Sequence, residues 1–295
     1  MKNNRHAHIL AAILLMLIAS VPLRSETGML QLLNLTGARQ AAMGETTVLF
    51  DYDPFNLEYN PAVMAGLEKG QAGFSHHSSF LDWNTSTLAV IFPVKGIACG
   101  IHMRYSGYGD IEGRRSATSQ PEFYFDAQDF TARAFAAMTL TPKLKAGLSV
   151  GWLMEKIDTY RASSVGVGLG LVYQVNELAV CHASVANLGP GFKFKVEEND
   201  LPTIYRVGAS ARKYGATVTA EYVNIKSGDS HIHMGGEYLI QEYLYLRTGY
   251  QTGYDTKDFS AGAGFVYNSF RVDYAFVPYD SDLGDSHRFT LTVSL

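Results

Sequence analysis

The chain contains 295 residues, of which 47% are apolar or aromatic and only 18% are charged, with a formal net charge of −4. This weakly acidic balance, without any basic block, excludes the electrostatic footprint of a nucleic-acid-binding protein. The 28 glycines and 18 tyrosines are typical of strands rather than helices, and the two cysteines, Cys99 and Cys181, are too far apart in sequence to indicate a disulfide framework.

The first residues have the pattern of a secretory signal peptide. Lys2 and Arg5 precede an apolar run at residues 9–17, and small residues follow, ending at Ser25. The apolar run is shorter than the roughly 20 residues that a membrane-spanning helix needs. We therefore predict that residues 1–25 contain a signal peptide, which is cleaved after export near Ser20 or Ser25.

A compact segment separates this signal from the remainder of the chain. Residues 26–70 include the stretch LEYNPAVMAGLE, in which Asn60 and Pro61 precede small and apolar residues at roughly helical spacing. Proline is favoured at the first position of a helix. One interpretation is therefore that Asn60 and Pro61 begin a helix outside the domain that follows.

From residue 71 onward the dominant pattern is an alternation with a period of two. Leu148 and Val150, for example, alternate with Ser149 and Gly151. This period is typical of a β-strand with two different faces. It predicts about 14 strands, each close to the length of about 9–11 residues that a tilted membrane strand needs. We place them at residues 71–80, 84–94, 96–106, 128–140, 143–156, 164–174, 177–187, 203–212, 215–225, 230–240, 242–251, 258–267, 269–278 and 287–295.

The predicted connections alternate in length. Every second connection is a tight turn, as at Lys95 and Asn268, whereas long connections are predicted at 107–127 and 188–202. This alternation is the signature of an up-and-down membrane barrel with periplasmic turns and external loops. We therefore predict that residues 71–295 form an all-β, antiparallel transmembrane β-barrel in the cell outer membrane, in contact with its lipid.

The second face of the predicted strands distinguishes a membrane barrel from a soluble β-sandwich. A sandwich exposes a face rich in polar and charged side chains, but here that face is mostly Gly, Ala, Ser and Thr. Its few charges carry both signs, which fits a lumen filled by paired side chains. The predicted luminal charges are Arg104, Arg133, Glu155, Arg206, Glu221, Glu237, Arg247, Arg271, Asp273 and Arg288.

Residues 33–67 carry short motifs that are specific in combination. The stretch reads LNLTGARQAAMGETTVLFDYDPFNLEYNPAVMAGL and contains G-A-R, A-M-G, D-x-D-P and N-P-A in that order. It resembles the start of the PorV/PorQ family, within the wider FadL-like superfamily of outer-membrane proteins. The resemblance continues in YGDIEGR from Tyr108, NLGPGFKF from Asn187, LPTIYRVG from Leu201 and DYAFVPYDSDLGDSHRFTL from Asp273.

The resemblance implies a fourteen-stranded barrel whose N-terminal segment, residues 26–70, folds into the lumen as a hatch. A barrel of this size has an interior that side chains alone do not readily fill. Glu45 and Val63 depart from the family pattern, since the family usually has glycine at both positions. The hatch residues that the resemblance singles out, including possible partners for the luminal charges, are Gly37, Arg39, Met43, Gly44, Asp51, Asp53, Asn60 and Pro61.

Two glycine motifs have simple structural explanations. The GLSVG stretch at residues 147–151 matches the G-x-S-x-G nucleophile pattern, but it lies within a predicted strand rather than at the strand-to-helix turn that this motif requires. The GVGLG stretch at residues 166–170 lacks the following helix of a dinucleotide site. We interpret it as close packing on the inner face of the barrel.

Histidines provide the remaining chemical candidates. His231, His233 and Glu237 share one strand face, which would suit a metal, but a polar lumen explains the same residues without one. His76 and His77 are reminiscent of an outer-membrane hydrolase, yet the spacing places no serine beside them. We predict a non-enzymatic protein with no cofactor and no metal.

Two functions remain open at this point. The family resemblance implies an accessory of type IX secretion, in which the barrel holds exported proteins or secretion-system components at the cell surface. The superfamily resemblance implies a passive channel in which the hatch gates the entry of a small hydrophobic molecule. Both functions need a plugged barrel and external loops, so the sequence does not separate them.

Overall fold

The computed structural model describes residues 28–34, 36–79, 83–194, 197–226, 228–280 and 284–295. The predicted signal peptide, residues 1–25, lies outside this part of the chain. Within it, no helix is both long enough and apolar enough to cross a membrane.

In the described part of the chain, fourteen antiparallel strands close into one barrel, because β1 pairs with the last strand as well as with β2. This confirms the predicted fold class. The barrel strands are β1 (Gln71–Ser78), β2 (Asn84–Val94), β3 (Ile97–Gly113), β4 (Phe123–Thr141), β5 (Leu144–Ile157), β6 (Tyr160–Gln174), β7 (Ala179–Leu188), β10 (Ile204–Lys213), β11 (Ala216–Ile225), β12 (Ser230–Ile240), β13 (Leu244–Gln251), β14 (Phe259–Tyr267), β15 (Phe270–Pro278) and β16 (Asp285–Ser294).

The predicted tight turns lie where the alternation placed them, at one end of the barrel. Lys95 and Gly96 join β2 to β3 with positive φ at both positions, the geometry of a type I′ hairpin. By the pattern of such barrels this end is periplasmic, and the longer connections are external. A longer connection was predicted between residues 156 and 164, but β5 and β6 are joined by a two-residue turn, 158–159, at the other end. The prediction for residues 188–202 needs one correction, since this connection contains a short hairpin of β8 (Phe192–Phe194) and β9 (Glu197–Asn199).

The prediction of a long loop at 107–127 is wrong, because most of these residues belong to strands. β3 continues to Gly113 and β4 begins at Phe123, and the two strands pair up to these residues. Their register shifts between Tyr108 and Ile111, where Asp110 has a φ of 53°. A bulge of this kind interrupts the alternation in sequence without ending the ladder.

The outer surface of the barrel is apolar, as the alternation predicted. Leu148, Leu169 and Leu291 are 44%, 49% and 44% exposed on the outside, whereas Ser149 points inward and is buried. A closed ladder with an apolar exterior satisfies every strand hydrogen bond within itself and presents hydrocarbon to lipid. The chain is an outer-membrane β-barrel.

The described part of the hatch, residues 28–34 and 36–70, occupies the barrel interior as a series of short turns. Its elements are 3₁₀ turns at Leu30–Leu33, Pro54–Glu58 and Pro61–Met64 and a single helical turn, α1 (Ala38–Ala42). Asn60 caps the last 3₁₀ turn by accepting a hydrogen bond from the Ala62 backbone at 2.9 Å, with Pro61 at the first helical position. Asn60 and Pro61 therefore begin a turn inside the barrel, and the alternative interpretation outside it is wrong.

Candidate functional site

The hatch crosses the lumen from the external end to the periplasmic end. Near the external end, the Gly28 backbone donates to the Asp200 carbonyl at 3.1 Å, and Met29 packs with Phe192. At the periplasmic end, the chain leaves the hatch at Gly70, whose carbonyl accepts from Leu295. The segment thus lies along the axis of the pore rather than across one mouth.

Glycines in the barrel wall allow the hatch backbone to approach the wall closely at one position. Gly44 lies against β12 and β13, where a Cβ at Gly249 would overlap the Gly44 backbone nitrogen and a Cβ at Gly235 would overlap the Met43 backbone. Gly44 has a φ of 67°, so the same position also needs glycine for its own conformation. The predicted hatch residues Met43 and Gly44 therefore form a backbone-to-backbone contact with the wall.

A second close contact lies on the opposite side of the lumen. A Cβ at Gly170 would overlap the Asn60 side chain, and a Cβ at Gly147 would overlap the backbone at Pro61 and Ala62. The Asn60 amide also donates to the Ala183 carbonyl at 3.2 Å. Gly170 confirms the interpretation of GVGLG as close packing on the inner face.

Alternating charges link the hatch to the wall near the periplasmic end. Arg39 donates to Glu237 from two nitrogens at 2.9 and 2.6 Å and to Asp51 at 2.6 Å. Arg247 also donates to Glu237, at 2.6 Å. Each of these charges therefore has at least one partner of opposite sign, which buried ion pairs require.

The same series, which we call the charge ladder, continues on both sides. Four arginines alternate with four carboxylates, and the hatch supplies Arg39, Asp51 and Asp53. The full order is Arg212, Asp51, Arg39, Glu237, Arg247, Asp273, Arg271 and Asp53. The prediction that Arg39, Asp51 and Asp53 provide partners for luminal charges matches these contacts.

A further hatch carboxylate, Glu58, lies deeper in the lumen. It accepts hydrogen bonds from the Thr36 backbone at 3.2 Å and hydroxyl at 2.8 Å, and its other oxygen lies 3.2 Å from Arg104. Burial alone would raise the pKa of Glu58, but the charges around it, Arg104 foremost, lower this pKa to about 2. The carboxylate is therefore ionised at neutral pH.

Another hatch carboxylate, Glu45, faces the external half of the lumen. Its Oε1 atom lies 3.2 Å from Lys257 Nζ and 3.2 Å from Arg288 Nη2, and its carbonyl accepts from Arg206 at 3.1 Å. Glu45 has a φ of 55°, in the region that favours glycine. At the position where the PorV/PorQ pattern has glycine, this chain therefore has a strained residue that contacts Lys257, Arg288 and Arg206.

The remaining predicted residues lie close to this assembly. Arg133 donates to Asn187, and Arg206 forms an ion pair with Glu221 at 2.7 Å. Glu155 is half-buried at the outer end of β5, where it accepts from the Met29 backbone. Gly37 has a φ of 98° and precedes α1, where its missing Cβ leaves room for Gln40 and Phe55.

Several hatch-binding residues were not predicted. Arg212 shares the inward parity of Arg206 on β10, so a longer reading of the alternation would have found it. Lys257 belongs to the connection between β13 and β14, where no periodicity exists. The sequence marks Glu45 only as a departure from the PorV/PorQ pattern, and no pattern distinguishes Glu58 from its neighbours.

The histidine candidates have ordinary partners. His231 stacks on Tyr254 at 3.8 Å, and His233 Nε2 lies 3.0 Å from the Tyr254 hydroxyl. Among the described residues, no group of three or more His, Cys, Asp or Glu is arranged to hold a metal ion.

Cross-strand pairing brings serines to the other two histidines, which spacing alone did not reveal. His76 Nδ1 lies 3.1 Å from Ser86 Oγ on the outer face, and His77 Nε2 lies 2.7 Å from Ser286 Oγ in the lumen. Neither imidazole pairs with a carboxylate of the described residues. These are the contacts of ordinary strand neighbours.

Above the hatch, toward the external loops, a cavity of about 380 Å³ remains open. Trp83 and Tyr108 stack in its wall with their ring centroids 5.0 Å apart, and Leu33 and Asn34 of the hatch contribute to its lining. We call it the outer cavity. Its lining residues are Leu33, Asn34, Trp83, Tyr108, Ile204, Arg206, Val223, Ile225, Tyr254, Thr256, Lys257 and Tyr279.

Comparison with known proteins shows similarity of fold. No protein-family model and no curated protein sequence matches the chain. Among solved structures, the Ralstonia pickettii toluene transporter TbuX is similar with a TM-score of 0.66 and 15% identity over 88% of this chain and 97% of that one. The Pseudomonas putida toluene transporter TodX gives 0.65 and 14% over 92% and 99%, and a Pseudomonas aeruginosa FadL homologue gives 0.60 and 10% over 94% and 99%.

Proposed function

We propose that this chain is an outer-membrane channel for small hydrophobic molecules, in which the hatch closes the lumen. The observation that carries the proposal is the position of the outer cavity. It lies directly above the hatch, is walled by aromatic and aliphatic side chains, and faces the external loops. Binding sites for small molecules are typically such apolar concavities with a few placed polar groups.

The composition of the cavity supports a hydrophobic ligand. Ile204, Val223 and Ile225 supply aliphatic surface, and the stacked pair Trp83 and Tyr108 supplies aromatic surface. Burying apolar ligand area against such walls contributes roughly 25 cal/mol per Å². The site would therefore favour solutes that carry a hydrocarbon ring or chain.

The structural neighbours support the same class of solute by analogy of fold alone. TbuX and TodX are described as toluene transporters, and a further neighbour, CymD, as a monoaromatic hydrocarbon channel. Those solutes belong to those proteins, and fold by itself does not determine function. Toluene is nevertheless the appropriate first probe for the outer cavity.

A secretion accessory of the PorV/PorQ type is the second candidate. The motifs at residues 33–67 carry the resemblance, and the strands β3 to β6 extend past the paired length of their neighbours at the external end. Such a projecting sheet would offer a surface to exported proteins or secretion-system components. A deletion strain that secretes its full set of exported proteins would remove this candidate.

The channel proposal is tested by filling the outer cavity. Ile225→Trp places a large ring in the cavity, whereas Val218→Trp adds the same ring on the lipid-facing side of the same strand. We expect cells that express the parent or Val218→Trp to take up labelled toluene faster than vector controls, and Ile225→Trp to approach the vector rate. Vector-level uptake by a correctly inserted, heat-modifiable parent protein would contradict the proposal.

A further inference from the structure

Two cations of the outer cavity are both bound to one hatch residue. Lys257 Nζ lies 3.2 Å from Glu45 Oε1, and Arg206 Nη1 donates to the Glu45 carbonyl at 3.1 Å. Both cations also line the outer cavity. Any ligand that reaches them therefore meets the groups that hold Glu45 in place.

Glu45 depends on these partners because it has little contact with solvent. The residue is 4% exposed, and its carboxylate lies between Lys257 and Arg288. Burial opposes ionisation, yet the charges of Lys257 and Arg288 hold the pKa of Glu45 well below its usual range. A buried carboxylate that loses one of two cations loses part of the compensation for its desolvation.

We infer that the outer cavity selects small aromatic carboxylates, which compete with Glu45 for Lys257 and thereby loosen the hatch. The inference rests on the proposed channel function and adds the ligand class and its coupling to the hatch. In this account the Glu45 side chain occupies the position that a ligand carboxylate takes. Ligand entry and hatch release are then one exchange of ion pairs.

The surroundings of Lys257 favour an aromatic body on the anion. Its ammonium lies 5.0 Å from the centroid of the Tyr254 ring, and Tyr254, Trp83 and Tyr279 line the same cavity. A ring with one carboxylate would place its charge on Lys257 and its faces against these aromatics. A neutral ring of the same size would occupy the cavity without displacing Glu45.

The exchange loosens the hatch without expelling it. Lys257 keeps a carboxylate partner throughout, so its own charge is never left uncompensated. Glu45 keeps Arg288, and the charge ladder at the periplasmic end has no contact with the outer cavity. The part of the hatch that responds first is therefore the loop around Glu45.

Thiol labelling of this loop tests the inference. Thr46 is fully buried, so Thr46→Cys in a chain lacking the other two cysteines reports when the loop becomes accessible to a water-soluble maleimide. The purified, reconstituted protein is treated with benzoate or with toluene, which share a ring and differ in the carboxylate. We expect benzoate to accelerate labelling by roughly fivefold or more, within the range of typical coupled sites, and toluene to have no effect.

Three variants distinguish loss of the contact between Glu45 and Lys257 from general loosening of the hatch. Glu45→Gln should label fast without benzoate and gain nothing from it, and Lys257→Met should lose the benzoate response. Glu58→Gln removes a hatch carboxylate that is absent from the outer cavity, so its labelling should rise while the benzoate response stays. Heat modifiability on gels identifies any variant that fails to fold. If either Lys257→Met or Glu45→Gln fails to fold, the other still tests the same ion pair.

Each outcome has a distinct meaning. Equal labelling with benzoate, with toluene and without ligand overturns the inference, as does a benzoate response that survives in Lys257→Met. If toluene uptake by cells is normal in that case, the channel proposal stands alone. If toluene uptake is absent, the channel proposal fails, whatever the labelling shows.

Discussion

Arg39 is the hatch residue whose loss should release the hatch most strongly. It is 2% exposed and donates two hydrogen bonds to Glu237 on β12 and one to Asp51. Arg39→Met keeps much of the side-chain length and removes the charge. Glu237, whose side chain is almost completely buried, then retains Arg247 as its closest cation.

The expected magnitude follows from these contacts. Removing one partner of a buried ion pair costs about 3–5 kcal/mol. The lower end applies, because Glu237 keeps Arg247 and because Asp51 is partly exposed and its contact is screened by solvent. A loss of about 3 kcal/mol, at about 1.4 kcal/mol per tenfold, raises the population with a released hatch about 100-fold.

Conductance in planar bilayers measures this population. The parent protein should be almost closed, and Arg39→Met should open far more often while still inserting as a heat-modifiable barrel. Adding Glu237→Met should restore part of the closure, since no buried carboxylate is then left short of a cation and Arg247 keeps Asp273. An Arg39→Met protein that is as closed as the parent would show that the ion pairs of Arg39 do not hold the hatch in place.

Three further predictions follow from the same packing. Gly235→Val should make the barrel leak because its Cβ would overlap the Met43 backbone, whereas Gly236→Val, with its nearest neighbour 3.8 Å away, should conduct like the parent in the same bilayers. Glu58, with a pKa of about 2 in place and an ordinary pKa of about 4.3 when hydrated, stabilises the hatch above about pH 4. That contribution is lost as pH falls toward 2, so conductance should be flat from pH 8 to 5 and rise only below about pH 4. Leu148→Arg on the lipid face should lower the free energy of unfolding in lipid by roughly 2–4 kcal/mol near the midplane, as urea titrations in vesicles would show.

The strand faces could be predicted from the sequence, because a period of two assigns every residue to one side of the sheet. Leu148 and Ser149 illustrate this, since one faces lipid and the other the lumen. The extent of β3 and β4 could not be predicted in the same way. The bulge between Tyr108 and Ile111 shifts the parity, so the paired strands read as an irregular loop.

The pairing inside the lumen needed the structure. The charges on the strands were found by their parity, but their partners depend on how the hatch threads through the barrel. Glu45 and Lys257 are 212 positions apart, and neither lies in a periodic element. Ser149 is a similar case. Its parity predicts that it points inward, but only the structure shows that the lumen is packed at this level, where a Cβ at Gly168 would overlap the Ser149 hydroxyl.

Closure of the lumen by residues 26–70 is tested by removing residues 26–68 while the signal is retained. The strand ladder from Gln71 closes on β16 without the hatch, so the truncated barrel should insert and migrate as a heat-modifiable protein. In planar bilayers it should conduct ions continuously, whereas the intact protein stays almost closed. A truncated barrel that inserts normally and remains as closed as the intact protein would show that the hatch does not close the lumen.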